Sequence, residues 1–251
     1  MKEKFKYLME KKSFHISMMI VIVSIILFTL GMIVLKYNVE GESNMPFEIT
    51  KIALISTSEG KDKNVEGHKW AFDINQNNDI YIYIEKNENF KKEEAIKSIE
   101  INNIKVERAK EVGKVNIYKP NTLDVGGAFY NSKENLAETL EYKGALNTNF
   151  GTMDIANQGG ILAFRFAIDN ISEYISDETE INHSLLLKQT NIKEEDLKSK
   201  LTCDFTIKAE SGKEYKTTLK FELPIEGILE KGTTHKEIDN TDDIIFKRVK
   251  N

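Results

Sequence analysis

Residues Ile16 to Leu35 read ISMMIVIVSIILFTLGMIVL, twenty positions without a charge. At about 1.5 Å of rise per residue, a helix of that length spans roughly 30 Å, the thickness of a bilayer's hydrocarbon core. The run predicts a transmembrane helix over residues 16–36. Lys2, Lys4, Lys6, Lys11 and Lys12 precede it against Glu3 and Glu10, whereas Glu40, Glu42 and Glu48 follow Lys36. By the positive-inside rule, residues 1–15 form a cytoplasmic Lys-rich tail and the chain beyond the helix lies outside the membrane. A cleaved signal peptide has an apolar region of only about 7 to 15 residues ending at a small-residue site. Here the run is longer, and Lys36 separates it from the passable site Val39-Glu40-Gly41, so the segment reads as a retained single-pass anchor. No cysteine follows it closely, which excludes a lipid anchor.

Ser17, Ser24 and Gly31 recur every seven residues and share one face of this helix. Small side chains there would let a second transmembrane helix approach closely. The first 36 residues hold six lysines and two acids, leaving 29 of the 35 basic and 38 of the 40 acidic residues beyond them, a net charge of −9. Such a surface does not favour anionic lipid. Only Arg108, Arg165 and Arg248 are arginines, so bidentate phosphate recognition is scarcely supplied and nucleic acid is not an expected partner.

After the linker, residues 37–46, the pattern becomes alternating, which is strand language. FEITKIALIS (Phe47 to Ser56) slips phase between Ile49 and Ile52, as at a bulge or in a strand covered on both faces. LTCDFTIKAESGKEYKTTLKFEL (Leu201 to Leu223) predicts a β-hairpin turning at Ser211-Gly212-Lys213. It sends Leu201, Cys203, Phe205, Ile207 and Ala209 into the core. Further strands are expected at SIEI and IKVER, KVNIYKP, ETLEYKG, and ILAFRFAID from Ile161 to Asp169. Two short helices are expected, at KKEEAIKSI and at NIKEEDLKSKL, the latter capped by Asn191. The predicted class is mainly β: the transmembrane helix, then an antiparallel, Ig-like β-sandwich over 47–224, then a C-terminal tail over 225–251.

DINQNNDIYIYIEKNE (Asp73 to Glu88) resembles a calcium loop at Asp73, Asn75 and Asn77, but the turn glycine is Asn78 and the bidentate glutamate position is Ile84. A hairpin loop at Asn75 to Asn78 is the expectation instead, with alternating arms ending at Ile74 and beginning at Ile80. Tyr81 and Tyr83 then share one face, either as a binding surface or packed beneath a loop or the other sheet. Phe129 and Tyr130 raise the same alternatives. Arg165, flanked by Ala163 and Ala167, either pairs with a glutamate across the sheet or marks a platform for an anionic ligand.

Motifs for phosphate cradling, zinc binding or a presented serine are missing. The histidines His15, His68, His183 and His235 are dispersed, and the one cysteine, Cys203, reads as a small core hydrophobe. Acid groups at Asp177, Glu178 and Glu180, and at Asp239, Asp242 and Asp243, read as solvated loops. Gly126-Gly127 and Gly159-Gly160 read as turns without a following helix, hence no nucleotide site. No catalytic residue, metal site or cofactor is assigned.

The Lys-rich anchor, NVEGE, PFEITKIALIST, DINQNNDIYIYIEKN, NQGG and the closing DIIFKR together resemble uncharacterised membrane-anchored proteins of clostridia and related low-GC Gram-positive bacteria. The resemblance implies cell-surface placement and no particular activity. The expected function is non-enzymatic binding of another protein or an envelope component. The alternatives are an accessory or sensory subunit acting through its transmembrane helix, and an envelope hydrolase with carboxylate catalysis.

Overall fold

The computed structural model describes residues 12–121, 128–149 and 151–249. Most of the predicted tail 1–15 and the Gly126-Gly127 turn lie outside the described residues. Two units are distinct, one ending at Ser43 and the other running from Asn44 onward. The first is helix α1, Lys12–Glu40. Within it, His15–Asn38 is long and apolar enough to cross a membrane.

The second unit is mainly β. One sheet holds β1 (Phe47–Asp62), β2 (Trp70–Lys86), β4 (Lys114–Tyr118), β7 (Gly160–Ser176) and β10 (Thr233–Ile238), in the order β10-β1-β2-β7-β4. The other holds β3 (Ile96–Arg108), β5 (Leu140–Gly144), β6 (Met153–Ile155), β8 (Ser199–Ala209), β9 (Glu214–Glu222) and β11 (Lys247–Arg248), in the order β11-β9-β8-β3-β5-β6. All named strand pairs are antiparallel except β5 with β6, which makes the second sheet mixed. Alternate side chains from both sheets meet in one hydrophobic cluster. Phe47, Leu54, Ile80, Ile82, Phe164 and Phe166 come from the first sheet, and Ile99, Ile101, Leu201, Phe205, Ile207 and Leu219 from the second.

The predicted hairpin is β8–β9, in register from Lys200 with Glu222 to Lys208 with Glu214. Gly212 takes φ 80° in its turn, a conformation that a Cβ resists. Cys203 is fully buried, and burial pushes its thiol up to about 12. The phase slip in β1 is a register shift between Ile49 and Lys51. Gly159 takes φ 128° at a turn where a Cβ would lie 2.3 Å from the Ile84 carbonyl oxygen.

Four expectations need correction. Residues 75–78 do not turn: β2 runs unbroken from Trp70 to Lys86, and Asn75, Gln76, Asn77 and Asn78 are buried inside it. β1 and β7 pair with this stretch from either side, satisfying its backbone, so pairing on both flanks overrides the turn preference of asparagine. On the core side, Asn78 Oδ1 accepts from Ser56 Oγ at 2.6 Å and Gln76 Nε2 at 3.2 Å, and Asn78 Nδ2 donates to the Phe166 carbonyl at 3.1 Å. Asn75 Oδ1 accepts the Asn170 N–H at 2.8 Å, where β7 bulges and Asn170 takes φ 58°. The actual β1–β2 connection is the stretch 63–69, which contains Gly67 at φ 86°.

The helix expected at KKEEAIKSI is absent, because Ile96 to Ile99 already belong to β3. A register shift between Ile96 and Ser98 adds a residue, so Ile96 and Ile99 both reach the core three positions apart, a spacing that imitates a helix. At NIKEEDLKSKL only the short 3-10 turn Glu194–Leu197 forms before β8 begins. The Asp196 carboxylate accepts the Lys193 N–H at 3.3 Å, so Asn191 does not cap it. The residues set apart as a tail are built into both sheets: after the four-residue helix α2 (Ile228–Lys231), β10 joins β1 and β11 joins β9.

Candidate functional site

Because 73–79 and 80–84 belong to one strand, Asn77, Asp79, Tyr81 and Tyr83 project from one face of the first sheet, opposite the core-facing Asn78, Ile80, Ile82 and Ile84. Cross-strand register builds this outer face in rows. Lys51, Tyr83 and Ile161 form one row; Ala53, Tyr81, Ala163 and Glu237 form the next. Ile55, Asp79, Arg165, Tyr118 and His235 make a third, and Thr57, Asn77, Ala167 and Asn116 a fourth.

The third and fourth rows are locked by a polar network. The Arg165 guanidinium makes a two-pronged contact with Asp79, Nε to Oδ1 at 2.6 Å and Nη2 to Oδ2 at 3.0 Å, with both side chains less than 15% exposed. Its Nη1 donates to Asn131 Oδ1 at 3.0 Å. Asn131 Nδ2 in turn donates to Asn77 Oδ1 at 2.8 Å, and Asn77 Nδ2 donates to Glu59 Oε2 at 2.6 Å. Tyr118 Oη and Asn116 Nδ2 both donate to Asp169 Oδ2, at 2.8 and 2.6 Å. Burial, with Asp169 beside it, drives the Tyr118 hydroxyl pKa upward, so this phenol stays a donor.

Phe129 lies over this network, its ring centroid 5.0 Å from the Arg165 guanidinium carbon and 6.4 Å from the Tyr81 ring, edge to face. Burial also raises the Tyr81 pKa, with Asp79 adding to it and Arg165 opposing. The segment carrying Phe129 and Asn131 is tied to β4 through Ala137 N–H to the Ile117 carbonyl and Lys119 N–H to the Asn135 carbonyl.

Of the residues singled out from sequence, Tyr81, Phe129 and Arg165 come together. Tyr83 lies one row further, half-buried, with Lys51 Nζ 5.6 Å from its ring. Tyr130 adjoins Phe129 in the chain but is 55% exposed. Arg165 pairs across the sheet as one reading expected, with an aspartate in place of a glutamate. Its charge is committed to Asp79, so the anionic-ligand platform finds no free guanidinium there. Ser17, Ser24 and Gly31 are exposed along α1, and a Cβ at Gly31 would meet nothing within 4 Å.

Sequence reasoning did not find Asp79 and Asn131 as partners of Arg165, Asn77 as the next member of that network, or Ile161 as a neighbour of Tyr83. A signal existed for two of them: Asp73, Asn75, Asn77 and Asp79 are spaced by two, the period of a strand face, in phase with Tyr81 and Tyr83.

Chemically, the network is a scaffold. Each carboxylate in it already accepts from a fixed donor, and among the described residues no group of three His, Cys, Asp or Glu is placed to hold a metal ion. The groups left to meet another molecule are the half-buried Tyr81 and Tyr83, the exposed Ile161 and Tyr130, and the small Ala53 and Ala163 between them. The cleft between β10 and the β8–β9 hairpin is lined by charges of both signs, including Glu107, Lys200, Glu222 and Lys236. Lys200 and Glu222 there pair with each other at 2.9 Å. The chain matches no protein-family model, no curated protein and no solved structure.

Proposed function

We propose that this is a single-pass membrane protein with a cytoplasmic N-terminus. Its β unit is an extracytoplasmic sandwich of Ig-like type that binds another protein or an envelope component and does no chemistry on it. The carrying observation is the outer face of the first sheet. Tyr81, Tyr83, Ile161, Ala53 and Ala163 form an apolar, aromatic surface that stays open to solvent, flanked on the same face by the Asp79–Arg165–Asn131 network and by Phe129. Tyrosines held this way offer large contact area at low entropic cost, the property that binding surfaces exploit. Alanine at the intervening positions leaves room for a partner's side chains.

The test is proximity labelling by the full-length protein in the native cell, comparing wild type with a Tyr81→Ala/Tyr83→Ala variant. The binding reading expects specific neighbours that disappear in the variant; an identical neighbour set would remove this face from the mechanism.

A second reading, an accessory subunit acting through its helix, is supported by the exposed Ser17, Ser24 and Gly31 face of α1. Replacing α1 by an unrelated membrane-spanning helix separates the two. The surface binder keeps its neighbours after the swap, and the accessory subunit loses them.

A further inference from the structure

The rows of the aromatic face continue to the end of the first sheet where the chain enters it, and the charge there is one-sided. Glu48 and Glu85 stand directly opposite each other in the β1–β2 register, both exposed. Directly opposed residues have Cβ atoms about 5 Å apart, and like charges so placed repel. Glu88 lies close enough to add to the repulsion felt by Glu48. Among the described residues, none of these three carboxylates forms an ion pair. Lys86 offers no relief, since it is opposite the core-facing Phe47 and so projects from the other side of the strand. Lys51 is bound to Glu237 at 2.6 Å, with Asp239 also acting on it.

The same face already holds cations against its rings: Lys51 over Tyr83 and Arg165 over Phe129. An ammonium or guanidinium over a tyrosine or phenylalanine face is attracted by the ring quadrupole. Aromatic rings that accept cations therefore run into carboxylates that lack them. Resting on the binding face described above, we infer that its occupant is a basic protein segment, whose lysine or arginine side chains lie against Tyr81 and Tyr83 and reach Glu48 and Glu85. Charge complementarity selects this occupant over the others. An anionic glycan or lipid surface meets the carboxylates unfavourably, and a second copy of this face offers them, in the rows that hold its rings, only Lys51 and Arg165, which are already paired with Glu237 and Asp79.

The experiment uses the full-length protein in nanodiscs and two fluorescent twelve-residue peptides, one alternating Lys with Ser and one alternating Glu with Ser, read by anisotropy. The Lys peptide is expected to bind, more weakly as salt is raised, and the Glu peptide not to bind. Tyr83→Ala is expected to weaken the Lys peptide about three-fold, and Glu48→Gln with Glu85→Gln about five-fold. Glu141→Gln with Glu214→Gln, the same charge change on the second sheet, is expected to leave binding unaltered. The inference is overturned by no binding of the Lys peptide, by equal binding of the Glu peptide, or by an equal loss in the second-sheet variant. In cells the two levels separate. If Tyr81→Ala/Tyr83→Ala abolishes neighbour labelling while Glu48→Gln/Glu85→Gln leaves it intact, the face binds but its partner is not recognised by basic side chains.

Discussion

The outer faces of the two sheets use opposite designs. On the second sheet, β3, β8 and β9 present charges that neutralise one another in place. Lys208 reaches Glu100 at 2.9 Å, Lys216 reaches Asp204 at 2.8 Å, and Asn103 Nδ2 donates to Asp204 Oδ2 at 2.7 Å. The Lys208 contact holds Glu100 below the ordinary carboxylate range, and the Lys216 contact does the same for Asp204. On the first sheet the central pair, Asp79 and Arg165, is nearly buried, and although Lys51 with Glu237 and Lys63 with Asp73 pair nearer the surface, an apolar, aromatic patch at Tyr81, Tyr83 and Ile161 stays exposed beside them. There the one carboxylate shift on the exposed rim runs the other way: burial, with Glu85 and Glu88 adding to it, raises Glu48. A face whose charges are mutually satisfied is finished as it stands. A face with buried supports, open rings and uncompensated carboxylates is the one on which the proposed binding rests.

This contrast is broken or sharpened most strongly at its supports. Arg165→Met should cost about 3 kcal/mol, because Asp79 is left as a nearly buried, unpaired charge. Adding Asp79→Leu should recover most of the loss, since replacing both members of such a pair by apolar residues is close to neutral. Urea midpoints of the two variants check this; failure of the second substitution to restore stability would shift the main role of Arg165 from the ion pair to its bond with Asn131. The corresponding change on the second sheet, Lys208→Met, breaks a half-exposed pair and should cost only about 0.5 kcal/mol by the same measurement.

The pH dependence of the two faces should differ in sign. Glu100 and Asp204 have depressed folded-state pKa values. Their stabilisation is full above the carboxylate range and is lost as pH falls through those depressed values. Glu48 is raised, so its unfavourable contribution is absent when it is protonated and develops as pH climbs through its folded value. Glu48→Gln should therefore raise the thermal midpoint at neutral pH and leave it unchanged well below the carboxylate range, whereas Glu100→Gln should lower it at neutral pH. The smallest expected effect on stability belongs to Tyr130→Ala, within about 0.5 kcal/mol because the residue is 55% exposed. A loss of partner labelling without a shift in the melting curve would mark Tyr130 as a contact residue.

Much of this architecture can be read from local pattern. In β8 and β9 the alternation is uninterrupted and a glycine marks the turn, so hairpin, register and the burial of Cys203 all follow from spacing. In β1 the phase slip at Ile49 to Ile52 is the bulge itself. Reading fails where a local signal has two physical causes. Ile96 and Ile99 are three apart because of a bulge, and the same spacing describes a helix face. Asparagines at 75, 77 and 78 favour turns when exposed, yet in the middle of a sheet Asn75 accepts from the bulge at Asn170, Asn77 bonds Glu59 and Asn131, and Asn78 bonds Ser56, Gln76 and the Phe166 carbonyl.

By itself, the sequence determined the apolar helix, the β class of the unit after it, the net negative charge of the chain beyond the helix, and the face on which Leu201, Cys203, Phe205, Ile207 and Ala209 are buried. These depend on composition and on a period of two, both local properties. Only the tertiary structure decided that the polar tract is the centre of a strand, that Arg165 belongs to Asp79, and that Glu48 faces Glu85. Each of these depends on which strand lies beside which and in what register, and that is set by pairing between residues as far apart as 37 and 86 positions, whose contact no local window contains.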